Sequence, residues 1–378
     1  MLEVTLYFTH GLLFILLVVA TRRLRTSFIQ GEPPVYTSKL GQETDLPSVT
    51  VCIPARNEAH ALIDCLQKVV ASDYRKLEII VLDDVSGDDT SALIKSFASE
   101  GVRFLQGSPL REGWLGKNHA LEGLLQHASG TFILFMDVDT RLAPKAVENL
   151  VRHAVTNRLA MVSVLPRRED GLRGSVIASP LRYFWEVLFS RRLWPATASN
   201  AWLIRRDTLL DRFHGFEPLK AAVQPEAEIA AQLAKTNEYS FLIGTQAFGI
   251  GYEKKWRSQL ITSVRLLYPL LNGKRHLMLA ALANILLLLV PYIVIVTAIL
   301  STHVSTYVLS TALVVAIGYS MLYGYYAQRV WRRGSVIGAC IWPLILIQEM
   351  VLIVSSAYQY RRKTVKWKGR LIQREVRK

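Results

Sequence analysis

The sequence predicts an α/β domain with helices on both faces of its sheet, tied to a membrane by apolar helices at both ends. Three observations predict it. Short apolar runs alternate with segments of helical period between Ser48 and Met136, the pattern of strands joined by crossover helices. Four segments, Val4–Ala20, Leu277–Leu300, Val304–Ala327 and Val336–Tyr358, are almost unbroken apolar sequence. Polar and acidic clusters, PARNE, DDVSGDD and DVD, close three of the short runs. In parallel α/β sheets ligands bind beyond the carboxyl ends of the strands, so all three clusters are expected on one edge.

The elements follow in order. Val49–Ile53 reads as a strand, and Ala61, Leu62, Cys65, Leu66, Val69 and Val70 keep helical spacing. Glu78–Leu82 is a second strand, followed by a helix from about Thr90 that Gly101 ends. Val102–Leu105 is a third strand, and Asn118–Ala128 a helix with Ala120, Leu121, Leu124 and Leu125 on one face. Then comes TFILFM. Leu181–Leu193 and Ile261–Leu271 read as amphipathic helices flanked by basic residues, suited to a membrane interface, although the pattern of the first fits an ordinary core-facing helix equally well.

Composition supports the membrane reading. The chain has 378 residues, 51% of them hydrophobic, and a mean hydropathy of +0.23. The last three apolar segments reach the ~20 residues that cross a bilayer, and the first lies at the short end of that range. It lacks a basic start and a small-residue cleavage site, and Arg22, Arg23 and Arg25 follow it. That marks an uncleaved anchor with its carboxyl end in the cytoplasm. The expected layout is an anchor at 1–21, a linker at 22–47, a cytoplasmic domain at 48–257, an interfacial segment at 258–276, membrane helices at 277–360 and a basic tail at 361–378.

The net charge is +15. Its basic residues cluster at Arg22–Arg25, Lys254–Arg257, Lys274–Arg275, Arg329–Arg333 and Arg361–Arg370, beside the apolar segments. Such clusters are drawn to anionic leaflets, so the partner expected is a membrane and not a nucleic acid. Cys52, Cys65 and Cys340 form no CxxC pair, which is compatible with a reduced cytoplasmic domain.

The sharpest chemical signal is Asp137-Val138-Asp139 at the end of TFILFM. Extended alternation would point both carboxylates to one side. Paired carboxylates at a strand end suit Mg²⁺ or Mn²⁺ bound together with substrate phosphates, and hence a nucleotide diphosphate. Asp83 and Asp84 end the second strand, where a carboxylate accepts hydrogen bonds from a base or ribose; Asp88 or Asp89 is a cap for the next helix. Lys117 lies near a helix start, where backbone N–H groups and an ammonium favour a diphosphate. It is no P-loop, because GxxxxGK[ST] is absent.

Ile53-Pro54-Ala55-Arg56-Asn57-Glu58, Asp83-Asp84-Val85-Ser86, Gly113-Trp114-Leu115-Gly116-Lys117-Asn118 and Asp137-Val138-Asp139 occur in the order and spacing of family 2 glycosyltransferases. The chain resembles that family over about residues 48–257. It looks most like the bacterial membrane-bound branch associated with carotenoids and hopanoids, relatives of ceramide glucosyltransferases. The resemblance implies a GT-A fold with a mixed sheet, a nucleotide-sugar donor (UDP favoured), a lipid acceptor and inversion at the anomeric carbon. It implies donor contacts at Pro54, Ala55, Asn57, Glu58, Asp83, Asp84, Lys117 and Asp137, and a metal at Asp139 with Asp137 near. The enzyme would be a multi-pass protein of the cytoplasmic membrane.

Two stretches depart from the family. Gln224-Pro225-Glu226-Ala227-Glu228 stands where Glu-Asp is usual, so Glu226 falls at the general base, with Glu228 as its rival. Gln-x-x-Arg-Trp becomes Tyr252-Glu253-Lys254-Lys255-Trp256. Trp256 would stack on a sugar and Lys255 face the diphosphate, but a lysine lacks the two-pronged contact of arginine. This favours transfer of a single hexose over a processive polysaccharide synthase. A non-catalytic nucleotide-sugar-binding scaffold is the alternative from another class. The last apolar segment is interrupted by Pro343, Gln348 and Glu349 and is followed by nine Lys or Arg, so a re-entrant or interfacial helix is expected there.

Overall fold

A computed structural model describes residues 2–34, 46–169, 179–191, 194–301, 304–331, 335–368 and 370–371. The chain forms two compact units: Met1–Phe28, Asp170–Phe189 and Lys254–Lys378 make a helical unit, and Ile29–Glu169 with Ser190–Glu253 make a sheet unit. Along the chain come α1 (Leu2–Gln30), β1 (Val49–Ala55), α2 (Ala59–Val70), β2 (Leu77–Asp83), α3 (Thr90–Ser96), β3 (Val102–Gln106), α4 (Gly116–His127) and β4 (Phe132–Met136). Next are β5 (Thr140–Leu142), α5 (Ala146–Thr156), β6 (Met161–Leu165), β7 (Arg167–Arg168), α6 (Arg182–Phe189), β8 (Ala201–Arg205) and α7 (Pro225–Leu233). The last are β9 (Tyr239–Ile243), β10 (Ile250–Tyr252), α8 (Trp256–Leu270), α9 (Arg275–Leu300), α10 (Thr306–Val330), α11 (Ser335–Cys340) and α12 (Trp342–Arg361), before a short hairpin.

In the sheet unit seven strands run in the order β3-β2-β1-β4-β8-β6-β9. The first four are parallel, as the alternation predicts, while β8 runs antiparallel to both β4 and β6, so the sheet is mixed. Alternate residues feed two cores. Val49, Val51 and Ile53 pack with α2, α3 and α5 on one face; Cys52, Ile80 and Ile133 pack with α4, α7, Trp202 and Phe216 on the other. Glu78 fastens the strand starts, accepting from Thr50 Oγ1 at 2.6 Å and from Ser129 N–H at 3.0 Å. A second sheet, β5-β10-β7, lies beside the end of β4 in sequence.

The helical unit holds three helices long and apolar enough to cross a membrane: Glu3–Gln30, Arg275–Leu300 and Thr306–Val330. Their outward side chains are apolar, as lipid contact requires: Phe8, Ile299 and Tyr307 are all strongly exposed. Tyr319 of α10 donates to the Leu13 carbonyl of α1 at 3.0 Å, and Tyr292 of α9 to the Ala316 carbonyl at 2.8 Å. Three expectations are corrected here. α1 continues past the arginine cluster to Gln30, over the first part of the expected linker; residues 35–45 of that linker lie outside the described residues. The amphipathic helix expected over Leu181–Leu193 is shorter, Arg182–Phe189, and residues 192–193 lie outside the described residues. The last apolar segment is two helices, Ser335–Cys340 and Trp342–Arg361, with Pro343 in the first turn of the second, where its missing N–H leaves no hydrogen bond unmade. Of the basic tail, residues 369 and 372–378 lie outside the described residues.

Candidate active site

The carboxyl ends of β1 and β2 are tied into one loop. The Asp84 N–H donates to the Ala55 carbonyl at 2.8 Å, the Asn57 N–H to Ser86 Oγ at 2.9 Å, and the Gly87 N–H to Asn57 Oδ1 at 2.9 Å. The Glu58 N–H donates to Thr90 Oγ1 at 2.9 Å. Arg56 clamps the same loop, donating to the carbonyls of Asp84 and, at 2.7 Å, Val85. The backbone there is strained: Asn57 has φ +52° and Val85, a β-branched residue, φ +55°, a conformation that persists only where the surroundings impose it. Asp83 and Asp84 are buried at 2% exposure each, and Asp83 Oδ1 accepts from the Ser86 N–H at 3.2 Å. Asp88 is held inside the loop, accepting from Thr90 N–H and Oγ1, while Asp89 is the N-cap of α3 and makes no side-chain capping bond. Burial opposes the Asp88 charge, but those bonds and the Ala59 N–H outweigh it and hold the carboxyl below its ordinary value.

Asp137, Val138 and Asp139 do not continue β4 as an extended strand. The Thr140 N–H donates to the Asp137 carbonyl at 2.9 Å and closes a β-turn. This corrects the extended alternation expected there, because β4 ends at Met136 and β5 starts at Thr140 in another sheet. Val138 is buried, and the flanking carboxylates remain half-exposed. Lys117 Nζ meets Asp137 Oδ1 at 2.7 Å. Among the described residues no three His, Cys, Asp or Glu side chains gather into a complete metal cage. The turn presents carboxylate oxygens, the kind of ligand a hard divalent cation takes.

Lys117 sits in the first turn of α4, whose N-terminal N–H groups and dipole favour an anion. The next residue, Asn118, is 2% exposed and donates its amide to the carbonyls of Leu219 at 2.7 Å, Ala222 at 2.8 Å and Lys220 at 3.2 Å. The loop so held runs into Gln224 and α7, with Pro225 at the first turn. The two candidate bases separate there: Glu226 is 2% exposed, whereas Glu228 faces solvent. Lys255 precedes α8 and Trp256 is its first residue, 47% exposed, in the helical unit.

Residues 50–209 match Glycosyl transferase family 2. The chain carries a family 2 glycosyltransferase domain. The matched span takes in Asp83, Asp84, Lys117, Asp137 and Asp139 and stops before Glu226. A mannosyltransferase from Pyrobaculum calidifontis, solved in complex with GDP-Man and Mn²⁺, superposes with a TM-score of 0.54 at 18% identity, over 95% of this chain and 98% of that one. The sheet unit thus has the GT-A fold. Curated relatives include an uncharacterized protein of Mycobacterium tuberculosis, 33% identical over 33% of this chain and 37% of its own length. A GalNAc(5)-diNAcBac-PP-undecaprenol beta-1,3-glucosyltransferase of Campylobacter jejuni is 30% identical over 29% of this chain and 35% of its own. An undecaprenyl-phosphate 4-deoxy-4-formamido-L-arabinose transferase of Shewanella sediminis is 27% identical over 32% and 38%. The chain spans little more than a third of the length of these relatives.

Several residues of the family 2 domain escape sequence reasoning. Arg56 and Asn118 lie inside the quoted motifs, but their hydrogen bonds go to backbone carbonyls distant in sequence. Gly107 donates to the Asp83 carbonyl at 2.8 Å, and a Cβ added there would lie 2.7 Å from that oxygen. Its only signal is a glycine just after the third strand. Glu122 accepts from the Phe216 N–H at 2.8 Å, and nothing in its helical context marks it.

Proposed function

We propose that this chain is an inverting glycosyltransferase that moves one hexose from a nucleotide-sugar, a UDP-sugar in this reading, to a membrane lipid. The observation that carries the reading is the coupling through α4: Lys117 meets the Asp137–Asp139 turn, and the adjacent Asn118 holds the loop that leads to buried Glu226. The lipid acceptor is supported by the three membrane-length helices and by the undecaprenyl-linked substrates in the names of two relatives.

In this scheme the loop at Pro54, Ala55, Asn57 and Glu58, with Asp83 and Asp84, receives the nucleoside. Asp139 and Asp137 would hold Mg²⁺ or Mn²⁺. A divalent cation supplies charge for the departing diphosphate. Lys117 and the α4 N-terminus place positive charge on the same group. Glu226 takes the proton from the acceptor hydroxyl, whose oxygen attacks the anomeric carbon as the nucleoside diphosphate leaves. One displacement inverts the configuration. Glu228, exposed on the same first turn, is the rival base of the scheme. Lys255 and Trp256 are acceptor-side contacts in this reading, and the sheet unit faces the cytoplasm, in keeping with the basic clusters Arg22–Arg25, inside the carboxyl-terminal part of α1, and Arg329–Arg333, at the end of α10.

Mass spectrometry of lipids from cells with and without the gene tests the reading. A hexosylated lipid that disappears on deletion and returns with the intact gene is expected; an unchanged lipid profile overturns it.

A further inference from the structure

The small sheet β5-β10-β7 carries a buried guanidinium whose position the proposed scheme does not use. Arg168 is 5% exposed and lies over the ring of Tyr252, 5.3 Å from its centroid. In register, Tyr252 pairs with Arg168 on one side and with Thr140 on the other. Residues paired across strands share a face of the sheet, so Thr140, Tyr252 and Arg168 form one row. Thr140 shows what that face looks onto. Its hydroxyl donates to the Asn200 carbonyl at 2.8 Å, and that carbonyl also accepts the Asp137 N–H at 3.0 Å. One residue beyond Tyr252, the Glu253 N–H donates to the Asp139 carbonyl at 3.0 Å. The opposite face is occupied differently, since Arg141 there pairs with Asp64. The row that ends in Arg168 therefore starts at the carboxylate turn.

We propose that Arg168 is a phosphate-binding residue of this site, a planar fork that grips a substrate phosphate from the β7 side while Lys117 meets it from α4. The inference rests on the glycosyltransferase reading above. Arginine suits the role because its guanidinium is a planar fork of N–H donors that matches two phosphate oxygens at once and stays charged when buried. The phosphate is that of the nucleotide donor or that of a lipid phosphate acceptor; both present the same oxygens.

The test uses the full chain in lipid nanodiscs, with Arg168→Lys and Arg168→Gln. Affinities are measured for UDP and GDP against uridine and guanosine, and KM for polyprenyl phosphate. A donor role predicts about a tenfold or greater loss of diphosphate affinity in both variants, with nucleoside affinity unchanged. An acceptor role predicts unchanged nucleotide affinity and a KM for the lipid phosphate raised by a similar factor. If Arg168→Gln fails to fold, Arg168→Lys decides, because it keeps the charge and loses only the fork. Wild-type affinities and KM throughout Arg168→Lys overturn the proposal. Failure of the unmodified protein to bind any nucleoside diphosphate overturns instead the reading on which it rests.

Discussion

Replacing Asn118 by leucine should damage both the fold and the chemistry, in separable amounts. The amide nitrogen carries two hydrogens and meets three carbonyls, so the 2.7 and 2.8 Å contacts to Leu219 and Ala222 are full bonds and the 3.2 Å contact to Lys220 is shared. Each full bond contributes about 1 kcal/mol, and the carbonyl stranded at buried Leu219 adds a desolvation cost of about 1–2 kcal/mol. Leucine keeps the volume, so no cavity is added. The sum is about 3–4 kcal/mol, or about 10 °C in melting temperature for a domain of this size. The loop from Leu219 to Ala222 would then sit less firmly, and Glu226 with it. A displacement near 1 Å at a reacting group costs about a hundredfold in rate. Thermal unfolding and steady-state kinetics check both parts, with kcat expected to fall more than donor KM rises, because Lys117 and the carboxylate turn are untouched. An unchanged melting temperature refutes the energetic argument; a lower melting temperature with unchanged kcat refutes the claim that this loop positions the base.

Two further outcomes follow from the sheet unit. Gly107→Ala brings a Cβ within 2.7 Å of the Asp83 carbonyl oxygen and 3.1 Å of the Asp84 Cα, and the strain of such overpacking, about 1–3 kcal/mol, must be relieved by moving the nucleoside loop. UDP affinity measured by calorimetry should fall about tenfold for 1.4 kcal/mol of that strain; wild-type affinity would remove Asp83 and Asp84 from the donor site. His153 of α5 is buried and its Nε2 lies 3.1 Å from Ser240 Oγ, and burial pushes its pKa below the ordinary 6.5. The neutral form is favoured in the fold, so its stability contribution is present above the unfolded value and is lost as pH falls through the folded one. His153→Gln should flatten the stability–pH curve just below 6.5, and a slope identical to wild type in denaturant titrations would contradict this.

The strands up to Met136 were legible because each is a short apolar run followed by a helical period, and both signals are local. The antiparallel β8 was not, since Ala201–Arg205 says nothing of which neighbour it pairs with. The residues proposed for the donor side stood out as motifs because they lie within a few positions of strand ends. The turn at Asp137–Asp139 was misread as extended because the hydrogen bond that closes it competes with strand geometry only after Thr140 joins a different sheet. Glu226 and Glu228 were indistinguishable in composition; the Pro225 start of α7 fixes their directions, and burial then separates them. Arg168, Arg56 and Asn118 depend on register or on long-range backbone partners, which spacing along the chain does not encode.

The central claim is that Glu226 removes a proton during sugar transfer from a nucleotide-bound donor. Turnover of a radiolabelled UDP-sugar with membrane lipid, measured for the wild-type chain, Glu226→Gln and Glu228→Gln alongside UDP affinity, tests it most directly. Glu226→Gln should lower kcat by about a hundredfold or more and leave UDP affinity unchanged, while Glu228→Gln should match wild type. Donor binding without turnover in the wild-type chain, or full turnover by Glu226→Gln, would contradict the claim.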